Sequence, residues 1–478
     1  VNYQPVIGME IHVELLTASK VFNASANAFG GEPNTHVDPV DLGLPGTLPV
    51  LNRRAFELAL RATLALDCRI SKVTTFDRKN YYYPDLPKNY QISQQYQPLG
   101  RDGNLTILLP DGSEKNVGID NIHLEEDAGK NVHPESGRDA GMTYVDLNRA
   151  GVPLMEIVSK PDLRSAEEME AYMNTMRSLL RYIEVSDCKI QEGSMRFEVN
   201  CSLLNDDGSL GTKVEIKNVG SVKAALRALK YELERQADCR DARQAVVQET
   251  RLWDDERGET RSMRSKEGAK DYRYFPEPDL VPVEISEEWI EQIRREIPEL
   301  REAKHKRFVE QYQIPDYDAG VLVEEKSVAD YFERCCALGA TPKTASNWIM
   351  TEILREIKEA EIEIDDLPVR PDHLAELITM IDDGTISGKI AKQVYKDMRE
   401  SGKMPKAIVE EKGLVQVSDD SAILAFIDQV IAENPGPVED FKAGKEKAVG
   451  FLMGQVMRLS KGKVNPQLAR DLLIKRIK

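Results

Sequence analysis

Leu105-Thr106-Ile107-Leu108-Leu109-Pro110-Asp111-Gly112 reads as a short apolar strand that stops at a turn. Met195–Leu203 repeats the pattern and runs into Asn205-Asp206-Asp207-Gly208. Both turn clusters look like hairpin connections, which favours antiparallel pairing. Val6–Val13 is a third strand candidate, and Asp102-Gly103-Asn104 reads as a further turn. Helical patterns interrupt the strands. Arg53 to Leu66 is rich in Ala and Leu at helical spacing. Ser165 to Ile183 follows Pro161-Asp162 and opens with Ser165 and Glu168, the spacing of a capping box. Ser221 to Asp238 is a third helix. Helices set between hairpins predict an α+β domain built on an antiparallel sheet, not a doubly wound one. No dinucleotide-binding glycine fingerprint follows a strand, and no phosphate-binding loop of the G-x-x-x-x-G-K-[ST] kind exists.

Past Pro276-Glu277-Pro278-Asp279 and Pro282 the pattern turns helical almost without interruption. Helices are expected at Glu287–Ile297, Ala303–Tyr312, Ser327–Leu338 and Ala345–Glu359, with a break at Pro368 to Pro371. Leu374–Ile381, Ser387–Ser401, Pro405–Glu411, Ser418–Asn434, Val438–Lys442 and Glu446–Ser460 follow. The last helix runs from Asn465 to Ile477, with Asn465 as cap and Pro466 at its first position. This divides the chain into a sheet domain at 1–292, an all-helical domain at 293–405 and a small helical tail at 406–478.

The composition, 41% hydrophobic and 30% charged over 478 residues, is that of a folded multidomain protein. No apolar run approaches the roughly 20 residues of a membrane span, and no basic leader precedes an apolar stretch, so neither a membrane segment nor an export signal is expected. The cysteines are Cys68, Cys188, Cys201, Cys239, Cys335 and Cys336; none forms a C-x-x-C pair, which fits a reducing cytoplasm. The net charge of −17 argues against a surface coated with phosphate-binding residues. The C-terminus departs from that average. From Lys442 to Lys478 there are ten Lys or Arg and only Glu446 and Asp471 as acids. Nucleic acid is one explanation of that bias, a solvated helical face the other.

Charged residues recur inside strand-like runs. Gly8-Met9-Glu10-Ile11-His12-Val13-Glu14 puts Glu10, His12 and Glu14 on one strand face. Such a face is costly to bury without a cation, and carboxylates with a histidine suit a divalent metal; an exposed, solvated face is the plain alternative. Ile122-His123-Leu124-Glu125-Glu126-Asp127-Ala128-Gly129-Lys130 has the same character, as does Val145-Asp146-Leu147-Asn148-Arg149-Ala150-Gly151-Val152-Pro153-Leu154-Met155-Glu156-Ile157. Phe76 to Gln94 interleaves Arg78, Lys79 and Lys88 with Tyr81, Tyr82, Tyr83 and Tyr90. That mixture suits stacking on bases and reaching phosphates, or a structured polar loop. Arg196, Glu198 and Asn200 alternate on one strand, and Lys213, Glu215 and Lys217 on the next, lining either a polar cavity or a solvated sheet. No G-x-S-x-G elbow or spaced Cys/His/Asn set is present, so covalent hydrolysis is not expected. Carboxylates with Lys and Arg fit metal-assisted phosphoryl transfer.

The stretches Gly8–Glu14, Phe76–Gln94, His123–Lys130, Asp146–Glu156 and Tyr272–Asp279 are long, irregular and polar, and in them the chain resembles the B subunits of bacterial glutamyl-tRNA(Gln)/aspartyl-tRNA(Asn) amidotransferases. The resemblance runs over nearly the whole chain. It implies a cradle domain of antiparallel sheet with helices, a helical domain and a tRNA-contacting tail. It implies a heterotrimer with an amidase-like A subunit and a small C subunit, where the A subunit hydrolyses glutamine and sends ammonia to the cradle. It also implies ATP and magnesium, which activate the side-chain carboxylate of Glu-tRNA(Gln) or Asp-tRNA(Asn) for amidation. On this resemblance Glu10, His12, Glu125 and Glu156 are expected as metal ligands or near neighbours, with Glu126, Asp146 and Glu198 beside them. Lys79, Lys88 and Arg149 are expected at phosphate or the aminoacyl end. Tyr81, Tyr83 and Tyr90 would stack on adenine or the terminal nucleotide, and Asn148 and Asn200 would hold it. The choice between the two tRNAs, and whether the mischarging synthetase joins the complex, lie outside the chain. A free-standing ligase for a small acid and a non-catalytic tRNA scaffold are the competing readings.

Overall fold

Strict alternation along Pro5–Glu14 gives one strand two different faces. Ile7, Met9, Ile11 and Val13 are at most 1% exposed, while Glu10, His12 and Glu14 turn the other way and are half-buried. Burying the four apolar side chains contributes roughly 1.5–3 kcal/mol each, which fixes the strand's register. In this computed structural model, which describes residues 3–134, 141–263, 272–415, 419–445, 447–460 and 462–477, the chain forms two compact units, Val1–Leu300 and Arg301–Lys478.

The strands of the first unit are β1 (Pro5–Glu14), β2 (Arg69–Ile70), β3 (Val73–Thr74), β4 (Asp77–Asn80), β5 (Tyr90–Ser93), β6 (Gly100–Leu108), β7 (Glu114–Glu126) and β8 (Lys130–Val132). They continue with β9 (Tyr144–Asp146), β10 (Pro153–Ser159), β11 (Met195–Leu203), β12 (Val214–Val219), β13 (Thr250–Asp254), β14 (Glu259–Ser262), β15 (Phe275–Pro276) and β16 (Val283–Glu284). Nine of them make one sheet in the order β14-β13-β12-β11-β1-β10-β7-β6-β2. Its pairs are antiparallel except β12 with β13. A smaller sheet, β15-β4-β5, stands beside it. The helices α1 (Arg53–Ala65), α2 (Ala166–Tyr182), α3 (Val222–Asp241) and α4 (Glu287–Glu296) join the sheet's apolar face in one core. The fold is therefore α+β, as the hairpin turns predict.

Local differences from the sequence reading have physical causes. Asp102-Gly103-Asn104 is not a turn but lies inside β6. Asp102 takes φ +55°, and a side chain on Gly103 would collide with the Cys68 sulfur and the Leu66 carbonyl. The missing side chain at Gly103 serves the close approach of Leu66 and Cys68 to the strand. Ser165 caps α2 by accepting from the Glu168 amide at 3.2 Å, but the Glu168 carboxylate accepts from Arg164 N at 2.6 Å, one residue ahead of the reciprocal capping bond.

The second unit holds α5 (Arg301–Tyr312), α6 (Asp316–Leu322), α7 (Lys326–Ala337), α8 (Pro342–Trp348), α9 (Leu354–Ala360), α10 (Pro371–Asp382), α11 (Gly388–Ser401), α12 (Pro405–Lys412), α13 (Asp420–Glu433), α14 (Pro435–Lys442), α15 (Lys447–Leu459) and α16 (Pro466–Ile477). Two cores organise it, one from Phe308 to Val409 and one from Ile423 to Ile477. The sequence reading missed α6, whose seven residues are too few to show a period. It took Ala345–Glu359 as one helix, and a π-helical turn at Ile349–Ile353 interrupts it. Asn465 caps α16, accepting from Gln467 N and Leu468 N. The expected helix starts at Ser418 and Glu446 lie outside the described residues. Among the described residues, no helix is long and apolar enough to cross a membrane.

Candidate active site

The polar face of the sheet is a product of register. His12 on β1 lies opposite Glu156 on β10 and Arg196 on β11. Glu156 in turn lies opposite His123 on β7. Directly opposed residues of antiparallel strands share a face, so four strands deliver their charged side chains to one place. His12 Nε2 stands 3.6 Å from Glu156 Oε2 and 3.8 Å from Glu125 Oε1. His123 Nε2 stands 3.0 Å from Glu156 Oε2 and 3.8 Å from Glu125 Oε2.

This concentration sets the protonation. Burial works to lower both imidazoles, but the carboxylates facing them, Glu156 foremost, outweigh it and push His12 up to about 9 and His123 up to about 10. Burial works to raise Glu156, and the two imidazoles hold it well below the usual carboxylate range. Lys79 lies 4.9 Å from the Tyr272 ring centre and 5.8 Å from that of Tyr81. Burial works to lower its ammonium, and the Glu125 carboxylate turns the balance upward.

One donor atom each from His12, Glu125 and Glu156 lie within 4.8 Å of one another. The His12 separations are too long for hydrogen bonds. They suit groups that share an ion: donors about 2.1 Å from one ion sit about 3 Å from their neighbours. Two carboxylates with a single imidazole fit a hard dication. Glu10 belongs to a second group, with Glu198 and Glu215. It lies two residues from His12 along β1, roughly 7 Å. Asn200 Nδ2 donates to Glu10 at 2.9 Å, and its buried Oδ1 has no hydrogen-bond partner, as suits an oxygen awaiting a cation or water. Lys217 pairs with both oxygens of Glu198 at 2.8 Å and with Glu215 at 3.3 Å.

The other predicted residues are placed differently. Lys88 pairs with Glu126, both side chains being almost fully buried, and Glu126 Oε1 also accepts from Ile92 N at 2.9 Å. Arg149 donates to the carbonyls of Ala128 and Gly129 at 2.9 and 2.8 Å, clamping the turn after Glu125-Glu126-Asp127. Asn148 accepts from His36 N and donates to Glu32 O. Asp146 accepts from Asn34 N and Asn148 N. These contacts strap the irregular loop before α1 to the turn between β9 and β10. Lys20 and Asp41, 0% and 1% exposed, lock the same loop at 2.9 Å. A side chain on Gly151, φ +83°, would strike the Asp41 carboxylate. Tyr90 packs under Arg78 at 4.2 Å and Lys88 at 5.2 Å. Tyr83 is 58% exposed.

Sequence reasoning left His123 out of the site, although period two from Glu125 points to it as it pairs Glu10 with His12. It named Arg196 on an alternating strand face and Asp127 in an acidic run, but not as the pair they form at 2.8 Å. Their partnership joins β11 to the end of β7, a link that no local pattern carries.

The family described as the GatB/GatE catalytic domain matches residues 5–291, and that described as the GatB domain matches 330–477. The B subunit of the aspartyl/glutamyl-tRNA(Asn/Gln) amidotransferase of Moorella thermoacetica is 53% identical over 477 residues, covering 100% of both chains. The protein of the same name from Thermoanaerobacter pseudethanolicus is 52% identical over 99% of this chain and 98% of its own. The one from Thermodesulfovibrio yellowstonii is 49% identical over 100% of both.

Proposed function

Because the chain belongs to the GatB family of tRNA amidotransferase B subunits, we propose that its polar sheet face is the synthetic site of a glutamine-dependent tRNA amidotransferase. The chain is one component of a multi-subunit ligase in protein biosynthesis. It activates the side-chain carboxylate of Glu-tRNA(Gln), Asp-tRNA(Asn) or both with ATP, and ammonia then displaces phosphate to leave the amide. The observation that carries the site assignment is the convergence of His12, Glu125 and Glu156 from three strands.

The chemistry explains the residue types. A carboxylate resists ammonia because oxide is a poor leaving group; an acyl phosphate has a good one. Activation then needs metal ligands and cations, and no protein nucleophile. His12, Glu125 and Glu156 would hold magnesium, with Glu10 beside them, and the ion would supply charge neutralisation at the phosphates. Lys79, caged by Tyr81 and Tyr272, directs its ammonium to the transferring phosphate. Lys88 and Glu126 hold β5 against β7 and so keep Glu125 in place. Arg149 and Asn148 fix the turn that brings the aminoacyl end in, with Asp146 bracing it. Tyr83, the most exposed of the three proposed stacking rings, meets adenine or the terminal nucleotide, while Tyr81 and Tyr90 support it. Asn200 orients Glu10. Arg196, Glu198, Glu215 and Lys217 offer ammonia a hydrogen-bonded path.

The partners are an amidase-like A subunit and a small C subunit in a heterotrimer, acting in the cytoplasm. The chain divides functionally into a cradle at 1–292, a helical connector at 293–405 and a basic tail at 406–478 that contacts tRNA. Replacing Glu125 tests the site: in the assembled complex, Glu125→Gln abolishes ATP-dependent amide formation while glutamine hydrolysis by the partner continues. Near-normal amide formation in that variant refutes the assignment.

A further inference from the structure

Among the described residues, the Lys79 ammonium has no hydrogen-bond or salt-bridge partner; rings hold it instead, Tyr272 at 4.9 Å and Tyr81 at 5.8 Å from their centres. The two rings meet edge to face at 6.0 Å, and Tyr274 braces Tyr272 in the same manner at 6.0 Å. An aromatic face attracts a cation without cancelling its charge, whereas a carboxylate in the same place would neutralise it. The ammonium is thus fixed and still open to an anion.

Tyr272 reaches Lys79 because the segment from Tyr272 to Asp279 is fastened to β4. The strand pairing there is short: β15 opposes β4 only at Phe275 with Arg78 and Pro276 with Asp77. Side chains supply the rest. Arg78 donates to both oxygens of Glu277, at 2.7 and 2.9 Å, and to Asp279 Oδ2 at 3.1 Å. The Glu277 side chain is 0% exposed, and a carboxylate so buried needs a paired, hydrogen-bonded partner. The guanidinium also lies 4.2 Å from the Tyr90 ring centre, so β5 backs the fork. At the other end, Asn80 Nδ2 donates to the Arg273 carbonyl at 2.7 Å, and the Asn80 backbone N–H donates to that of Tyr272 at 2.9 Å. Arg273 takes φ +45°, a left-handed conformation that a non-glycine residue holds only when its surroundings impose it. The clasp holds that kink between the two tyrosines.

Arg78 and Lys79 are neighbours on a strand, so their side chains leave on opposite faces. From this arrangement we infer that Arg78, through its fork to Glu277, is a positioning residue for Lys79. It clamps the 272–279 segment to β4, and that segment sets the Tyr272 ring against the ammonium. A contact between residues 199 positions apart thereby decides where a phosphate-seeking charge stands. The inference rests on the phosphate role given to Lys79 above.

The test uses the assembled complex for kinetics and the full chain, carrying isotope-labelled lysine, for NMR. The Lys79 side-chain signal, assigned by its loss in Lys79→Arg, is expected upfield of the ordinary lysine position in the wild type, because it lies against aromatic faces. Arg78→Lys keeps the charge and loses the fork. Its Lys79 signal should return towards the ordinary position, and kcat/KM for ATP should fall roughly a hundredfold, the scale of a misplaced group, with a raised KM. A merely weakened fold would lower the active fraction and move neither KM nor that signal. Tyr272→Leu should reproduce both effects, and Tyr272→Phe, which keeps the ring face, should recover most of each; this pair carries the test if Arg78→Lys does not fold. A Lys79 signal unmoved in Arg78→Lys, or a wild-type KM for ATP in Tyr272→Leu, overturns the inference. ATP kinetics unchanged in Lys79→Met overturn the phosphate reading beneath it.

Discussion

Lys88→Met is the sharpest test of how the site is braced. Lys88 and Glu126 form a salt bridge whose side chains are 4% and 3% exposed. Burial raises the Glu126 carboxyl even with Lys88 beside it. Removing one partner of a buried pair leaves an uncompensated charge, at a cost of about 3–5 kcal/mol. The Ile92 amide still donates to Glu126 Oε1 at 2.9 Å, so the lower figure is the better guide. At about 1.4 kcal/mol per tenfold change, 3 kcal/mol is roughly a hundredfold rise in local opening. Hydrogen exchange read by mass spectrometry on a peptide containing β5 is the assay, because the Ile92 amide reports the bond directly. Lys88→Met should exchange there roughly a hundred times faster. The double variant Lys88→Met with Glu126→Gln removes the stranded charge and keeps an acceptor for Ile92, so it should recover most of the protection. If the single variant exchanges within a few-fold of wild type, or the double is no better than the single, the pair is not what holds β5 to β7.

Arg196→Met strips Asp127 of its 2.8 Å partner and should slow amide formation roughly ten- to a hundredfold, on the scale of outer-shell losses, with partner glutamine hydrolysis unchanged; a rate near wild type removes Arg196 from the machinery. Deleting residues 419–478 removes the second helical core but spares Ile408 and Val409, which belong to the first. Filter-binding titrations should then show weaker tRNA binding and a salt dependence flattened by about one log unit per lost phosphate contact, whereas an unchanged slope rejects the tail as the contact. Burial works to raise Asp318, but bonds from Lys343 at 2.7 Å and Ser346 at 2.8 Å hold its carboxyl below the ordinary value. A depressed carboxyl contributes stability above its unfolded pKa and loses it as pH falls through the folded one. Asp318→Asn should therefore unfold more easily near pH 7, followed by the fluorescence of Trp348, and converge with wild type as pH falls through the lowered carboxyl; a gap constant with pH contradicts this.

The sheet was legible because its strands carry period two and end in Asp-Gly turns, as Leu105–Gly112 shows. Glu10, His12, Glu125 and Glu156 stand out for the same reason, being charged positions within otherwise buried strands. What local pattern cannot carry is pairing. Lys88 and Arg149 look like free cations in the sequence. Each is engaged by a partner brought from elsewhere in the chain: Glu126 for the one, the carbonyls of Ala128 and Gly129 for the other. Asn148 likewise bonds to residues more than a hundred positions away. His123 is readable by alternation, but the run of three acids from Glu125 to Asp127 dominates the pattern around it.

The two-faced strand β1 has a further consequence. A slip of one residue against β10 and β11 would send His12 and Glu10 into oil and lift Ile11 and Met9 into water. Foldability and chemistry are thus read from one coding frame of side chains. A single-residue insertion or deletion within Pro5–Glu14 has no silent form, whereas the hairpin tip at Pro110–Gly112, exposed to solvent, is free to lengthen and drift.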